Sequence, residues 1–301
     1  MKITIIGNGQ IGNAILYLLK ESSKNKKEEL LIDMYDKNNS KNTCKKTLED
    51  SVGGSDFVFL CVPSWYLDKI LKEISSYIKK DTIFISLSKG IDTTSQESVD
   101  ELIEKNIKKA KYALISGPMF AKEIIDGKMS FGVLATKDRT VAKKIMGLFT
   151  DTKLKMEYSK RVHSVAIAGV LKNIYTLAIS IVDNSMKDNN IKGFLTVKAM
   201  EEMRQIMKIM KLDRRMVLGT AGLGDLVASI SSEHSQNRKV GEEISTQGET
   251  SLVSEGLVSI SSIVSKIDKK YKSLPMLCML KKVIVDKKDT KIEIEKFLKG
   301  F

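Results

Sequence analysis

The sequence predicts an α/β protein with a doubly wound, parallel sheet in its N-terminal half and an all-α domain in its C-terminal half. Three observations carry this. A glycine-rich turn stands between a strand-like run and a helical pattern near residue 7. Apolar runs rich in β-branched residues then alternate with helical segments as far as residue 158. From residue 159 the strand-like runs stop and helical periodicity takes over, so we place the domains at 1–158 and 159–301.

The first element is Lys2 to Ile6, short and apolar. Gly7-Asn8-Gly9-Gln10-Ile11-Gly12 follows, then the helical spacing of Ala14, Ile15, Leu18 and Leu19. This is G-x-G-x-x-G between strand and helix, the fingerprint of a dinucleotide-binding Rossmann domain. The first glycine makes the tight turn, the second admits a pyrophosphate, and the third lets helix pack on strand. The helix then turns its amides and its dipole toward the phosphates. The next strand, Glu29 to Asp36, ends on a carboxylate. Asp36 there would accept hydrogen bonds from the adenosine ribose and repel a 2′-phosphate, which favours NAD over NADP; Lys37 beside it keeps NADP open. Five more strands are read at Phe57–Val62, Thr82–Leu87, Tyr112–Ser116, Phe131–Ala135 and Leu154–Tyr158, with a helix at 65–78. Ligands bind at the carboxyl ends of such strands. Val62-Pro63-Ser64, Ser88-Lys89-Gly90 and the stretch Ser116-Gly117-Pro118-Met119-Phe120 lie at such ends.

Bulk properties narrow the function. The chain of 301 residues is 42% hydrophobic, enough for two cored domains. No apolar run reaches the roughly 20 residues of a membrane span. The N-terminal stretch breaks into glycines too early for a signal peptide. Cys44, Cys61 and Cys278 do not suggest a disulfide framework, and His163 and His234 do not suggest a metal centre. A cytoplasmic protein is expected. The formal charge is +13, but the lysines are scattered and mixed with acids and serines. They read as solvated faces rather than a nucleic-acid surface, and their field would draw small anions.

Helical segments in the second half are read at 160–185, 191–211, 214–219, 236–246, 252–268 and 275–286. The first is apolar on nearly every face yet carries Lys172 and Asn173 at its middle. Ala168 and Gly169, one turn back, leave room beside the lysine. A lysine in apolar surroundings loses hydration and becomes suited to proton transfer; the plainer alternative is a lysine that reaches out to solvent. Thr220 to Ser229 reads TAGLGDLVAS, where Asp225 is expected as a helix N-cap. Ser235, Gln236, Asn237 and Arg238 then open a helix and form a plausible anion cradle.

Taken in order, IGNGQIGNA, CVPS, SKGI, SGPMFAKE, AGVLKNI, AGLGDLV, SQNRKVG, SEG and LPM resemble the NAD(P)-dependent glycerol-3-phosphate dehydrogenases over nearly the whole chain. The resemblance implies that Lys172 exchanges a proton with the ketone oxygen of dihydroxyacetone phosphate, that Asn173 positions the substrate, and that Asp225 keeps the ammonium charged and oriented. It implies that Lys89 lies near substrate and cofactor, with Gly117 and Met119 beside it. Ser229, Ser235, Gln236, Asn237 and Arg238 match positions around the glycerol phosphate. Gly7 to Gly12, Asp36, Pro63, Lys89, Ala121, Val253 and Glu255 match cofactor contacts. A small phosphorylated substrate is implied, without nucleic acid or membrane span, and a homodimer is compatible. The chain departs from the family at Gln236, usually arginine; at Ile11, usually aromatic; at Met119, usually a small hydroxyl; and in a shortened loop from Asn38 to Ser51. Two alternatives remain: a reductase of another small acid or phosphorylated carbonyl, such as the ketopantoate reductases, and a non-catalytic dinucleotide-binding regulator.

Overall fold

The computed structural model describes residues 1–24, 30–38 and 47–301. They form two compact units: 1–92 with 97–166, and 93–96 with 167–301. The first unit takes in the opening turn of a helix that begins at Val162, so it reaches beyond residue 158.

Seven strands build the sheet of the first unit: β1 (Lys2–Ile6), β2 (Leu31–Tyr35), β3 (Phe57–Leu60), β4 (Ile83–Ser86), β5 (Lys111–Ser116), β6 (Ser130–Ala135) and β7 (Leu154–Ser159). Its helices are α1 (Gln10–Ser23), α2 (Leu48–Val52), α3 (Ser64–Ile74), α4 (Val99–Asn106), α5 (Ala121–Ile125) and α6 (Arg139–Leu148). The strand order is β2-β1-β3-β4-β5-β6-β7. Chain progression reverses across β1, which has β2 on one side and β3 on the other. A ligand belongs outside the carboxyl ends of the strands at such a reversal.

One expectation needs correcting. The sheet is not parallel throughout, because β6 runs antiparallel to β5. A parallel return needs a crossover of a dozen or more residues, usually helical. Here residues 117–129 hold a Gly-Pro turn and the five-residue α5, and the chain doubles back. The ten-residue α6 then supplies a crossover, and β7 pairs parallel with β6. The core under the sheet is apolar and closely packed. Ile3, Ile5, Phe59 and Ile85 are all fully buried, and Phe149 meets Phe59 edge to face.

The second unit is helical, with α7 (Val162–Met186) entering from the first. It continues with α8 (Asn189–Ile209), α9 (Asp225–Ser231), α10 (Gln236–Gln247), α11 (Glu255–Ile267), α12 (Pro275–Leu280) and α13 (Thr290–Leu298). Turns of 3-10 type at Arg214–Val217 and Asp268–Ser273, and π-type turns at Thr220–Gly224 and Lys281–Val285, link them. Helix α7 is long and apolar enough to cross a membrane, contrary to the expectation that no run would qualify, but its apolar window is wholly buried. Burial of its apolar window marks it as a core helix rather than a span. Its polar side chains are absorbed locally: Thr176 donates to the Lys172 carbonyl and Ser180 to the Thr176 carbonyl, both at 2.8 Å. Helix α10 reaches α7 at Gly241, where a Cβ would come within 2.6 Å of Ser180.

Buried Glu202 on α8 ties three helices together. It accepts from the Tyr175 hydroxyl at 2.7 Å and from the backbone N–H groups of Met276 and Leu277 at 2.7 and 3.1 Å. It thus caps α12, whose first residue is Pro275. Burial pushes the Glu202 carboxyl up, and these three donors work against that rise.

In the second unit, α9 begins where the N-cap reading of Asp225 leads one to expect a helix, whereas α13 escaped sequence reading. The sequence of α13 alternates Ile292 and Ile294 with charged residues, a strand-like pattern. Local capping decides otherwise: the Asp289 carboxylate accepts from Ile292 N–H at 2.9 Å, and Ile294 and Phe297 are buried at helical spacing.

Candidate active site

In the first unit, the turn after β1 has the geometry a dinucleotide needs. Gly7 has φ +105°, and its N–H donates to the Tyr35 carbonyl at 2.8 Å. A Cβ at Gly7 would lie 2.6 Å from the Cys61 carbonyl, and one at Gly12 would lie 1.9 Å from the carbonyl of Gly7. Around Gly9 the space is open, with nothing within 4 Å of a Cβ built there. Helix α1 starts without a side-chain cap, and its first turn carries no acid. Open space over an uncapped, acid-free helix start fits a pyrophosphate. Asp36 sits directly after β2 and closes the turn from the other side. Its carboxylate accepts from Asn8 N–H at 2.9 Å and Asn38 N–H at 3.0 Å. Lys37 is directed over the Tyr66 ring, 4.1 Å from its centroid.

At the ends of β4 and β5 the Lys89 ammonium donates to the Gly117 carbonyl at 2.9 Å. Gly117 has φ +153°, and a Cβ there would come within 2.6 Å of the Phe131 carbonyl, so the tight β5–β6 return requires glycine. Met119, Ile11 and Ala121 are half-buried against the core of this unit, with the Met119 sulfur directed at Gly132. Pro63 is exposed at the start of α3, and Gln10 is exposed at the start of α1.

In the second unit, three expected residues form one buried cluster. The Lys172 ammonium lies 3.2 Å from Asp225 Oδ1 and donates to Ser229 Oγ at 3.2 Å. Ser229 Oγ in turn reaches Asp225 Oδ1 at 3.4 Å. Lys172 is 6% exposed and Asp225 2%. A charge pair removed from water to this degree persists only when paired and hydrogen-bonded. The lysine therefore does not reach out to solvent. Asp225 is not the helix N-cap expected from its sequence. The π-type turn at Thr220–Gly224 runs straight into α9, so Asp225 is already helical and its carboxylate is turned to Lys172.

A second line runs beside the first. Asn237 Nδ2 donates to Asn173 Oδ1 at 2.9 Å, and Gly256 N–H donates to Asn237 Oδ1 at 2.9 Å. This orders Asn173 from α10 and α11 together. Gly256, in the SEG stretch, was not singled out from sequence; its close approach to Asn173 is the reason it must be glycine. Ser235 caps α10, accepting from Arg238 N–H at 3.4 Å. Gln236 is exposed, whereas Arg238 is drawn along its own helix to Glu242 at 2.8 Å. Ser254 caps α11 just before Glu255, and Val253 is 53% exposed.

Cys61 and Cys278 are free. Cys44 and most of the loop from Asn38 to Ser51 lie outside the described residues. Among the described residues no group of three or more potential metal ligands occurs. Sequence reading also missed the pair of His163 Nδ1 and Asp100 Oδ2, 2.8 Å apart in the first unit. Separated by 63 residues, they left no local pattern.

Residues 2–142 match the family model of the NAD-dependent glycerol-3-phosphate dehydrogenase N-terminus, and residues 161–295 that of its C-terminus. A glycerol-3-phosphate dehydrogenase [NAD(P)+] of Clostridium botulinum is 27% identical over 320 residues, covering 99% of this chain and 97% of that one. Two solved structures share the fold at a TM-score of 0.86. One is a glycerol-3-phosphate dehydrogenase from Coxiella burnetii, 18% identical, covering 99% of this chain and 98% of that one. The other is from Plasmodium falciparum, 21% identical, covering 100% of this chain and 95% of that one. With both family models matched across nearly its whole length, the chain belongs to the NAD-dependent glycerol-3-phosphate dehydrogenase family.

Proposed function

We propose that this chain interconverts dihydroxyacetone phosphate and sn-glycerol 3-phosphate with NAD(P)H, and that Lys172 is its general acid and base. The family carries the reaction class. The buried Lys172–Asp225–Ser229 cluster is the observation that supports the assignment of the lysine. A nicotinamide held by the Gly7–Gly12 turn would supply the hydride for the carbonyl carbon. The residues of this chain deal with what remains. Lys172 gives its proton to the developing alkoxide oxygen and recovers one in the reverse direction. Asp225 and Ser229 hold the ammonium in place and keep it charged until that moment. A fixed cation at an oxyanion is often the largest contribution to catalysis in such sites. Asn173, held by Asn237 and Gly256, positions the substrate, and the start of α10 around Ser235 and Gln236 receives its phosphate. Gly7, Gly9 and Gly12 hold the dinucleotide, Lys89 and Gly117 meet its reactive end, and Asp36 favours NAD. Free Cys61 and Cys278 suit a cytoplasmic setting.

The test is NADH oxidation with dihydroxyacetone phosphate, alongside NADPH and unphosphorylated ketones. Lys172→Ala is expected to lose at least a hundredfold in kcat, the lower end for a general acid, while NADH still binds. Because the variant leaves Asp225 buried without a cation, at a cost of about 3–5 kcal/mol, Lys172→Met with Asp225→Asn serves as a second form. It should recover stability and remain inactive. Wild-type rates in either variant would remove the lysine from the mechanism.

A further inference from the structure

We propose that the second unit carries a separate site for a soluble oligophosphate, in a groove of about 760 Å³ ringed by Arg204, Lys208, Lys211, Arg214 and Lys270. The groove shares no residue with the Lys172 cluster. Its cations come from three segments: Arg204 and Lys208 from α8, Lys211 and Arg214 from the turn that follows, and Lys270 from the 3-10 turn after α11. Among the described residues, none of the five has an ion pair or a side-chain hydrogen bond. Several other cations of the same unit find carboxylates: Lys192 meets Asp183, Arg215 meets Asp213, Arg238 meets Glu242, and Lys282 meets Glu293. The one acid of the groove, Glu201, is already engaged by Lys198 at 2.8 Å.

Stability alone does not account for this arrangement. The C-terminal end of α8 attracts Lys208 and Lys211 through its dipole. Arg204 lies before the last turn, and its i,i+4 spacing to Lys208 places like charges side by side on one helix face. Arg214 and Lys270 converge on the same groove from other segments. A ligand with several closely spaced negative charges resolves the repulsion, and two guanidinium forks match phosphate oxygens. The groove has no aromatic side chain on which a base could stack. Recognition therefore rests on the phosphates, with Ile209 and the lysine stems forming apolar walls.

Calorimetric titration of the full-length protein with inorganic tripolyphosphate tests this directly, independently of dehydrogenase activity. Binding is expected at physiological ionic strength and in the presence of excess dihydroxyacetone phosphate. Combining Arg204→Ala, Lys208→Ala and Arg214→Ala should weaken it by roughly tenfold per lost contact. These positions are exposed, so an unchanged melting temperature of the triple variant will show an intact fold. Absence of binding, displacement by dihydroxyacetone phosphate, or undiminished affinity in the triple variant would overturn the proposal. So would sedimentation with phosphatidylglycerol vesicles without tripolyphosphate binding, since the groove would then serve a membrane surface.

Discussion

Replacing Gly256 with alanine is a severe test of how Asn173 is positioned. A Cβ at this residue would lie 2.4 Å from the Asn173 carbonyl oxygen and 2.6 Å from Asn237 Oδ1. Ordinary contact begins at 3.4 Å, so α11 must withdraw by about 1 Å. The carbonyl belongs to the buried, close-packed α7 and cannot yield freely. Overpacking of this kind costs about 1–3 kcal/mol. The same displacement strains the bond from Gly256 N–H to Asn237, and through it the one from Asn237 to Asn173. A 1 Å misplacement of a positioning group can cost about a hundredfold in rate. We therefore expect Gly256→Ala to lower kcat/KM for dihydroxyacetone phosphate by about a hundredfold, measured by NADH oxidation, with a melting point several degrees lower. Gly193→Ala is the matched control. It lies in exposed helix where a Cβ meets nothing within 4 Å, and should gain about 0.5–1 kcal/mol without affecting rate. If Gly256→Ala matches wild type in both rate and melting point, the Asn237 relay has no part in positioning Asn173.

Three further outcomes are expected. Gln236→Arg should lower KM for dihydroxyacetone phosphate while leaving kcat nearly unchanged, since it adds a charged donor at the exposed start of α10; a higher or equal KM refutes the phosphate role given to that position. Burial works to raise the Asp100 carboxyl, but the hydrogen bond and charge of His163 and the Ser98 hydroxyl outweigh it and hold the group below the ordinary 3.8. The native state then binds fewer protons than the unfolded chain, so this contribution is complete above that value and fades as the pH drops below it; Asp100→Asn should flatten the acid limb of a denaturation profile. Burial pushes the Cys61 thiol up to about 12, so peptide mapping after alkylation at mild alkaline pH should find Cys278 modified and Cys61 protected until the protein is unfolded.

Much of the candidate site was legible in sequence because it depends on short-range chemistry. Gly7, Gly9 and Gly12 declare their turn by spacing alone, and Lys172 stands out against an apolar helix. What depends on pairing across long separations was not legible. Glu202 reads as an ordinary charge on an exposed helix face until α12 is seen to need a cap. His163 and Asp100 become partners only through the fold. The reversal of β6 could not be read from composition, because nothing in Phe131 to Ala135 specifies direction; the brevity of α5 does. Asp225 shows the same limit in reverse: its N-cap reading was locally sound, but a π-type turn moved it inside the helix and freed its carboxylate for Lys172.

Helix α7 also bears on biogenesis. Before the protein has folded, a 25-residue segment of this hydropathy resembles what insertion machinery accepts as a span. A lysine near the middle of such a segment opposes insertion by about 2.5–3.5 kcal/mol. Lys172 thus favours retention of the nascent chain in water, and variants that replace it with an apolar residue should be checked for mislocalisation as well as for lost turnover.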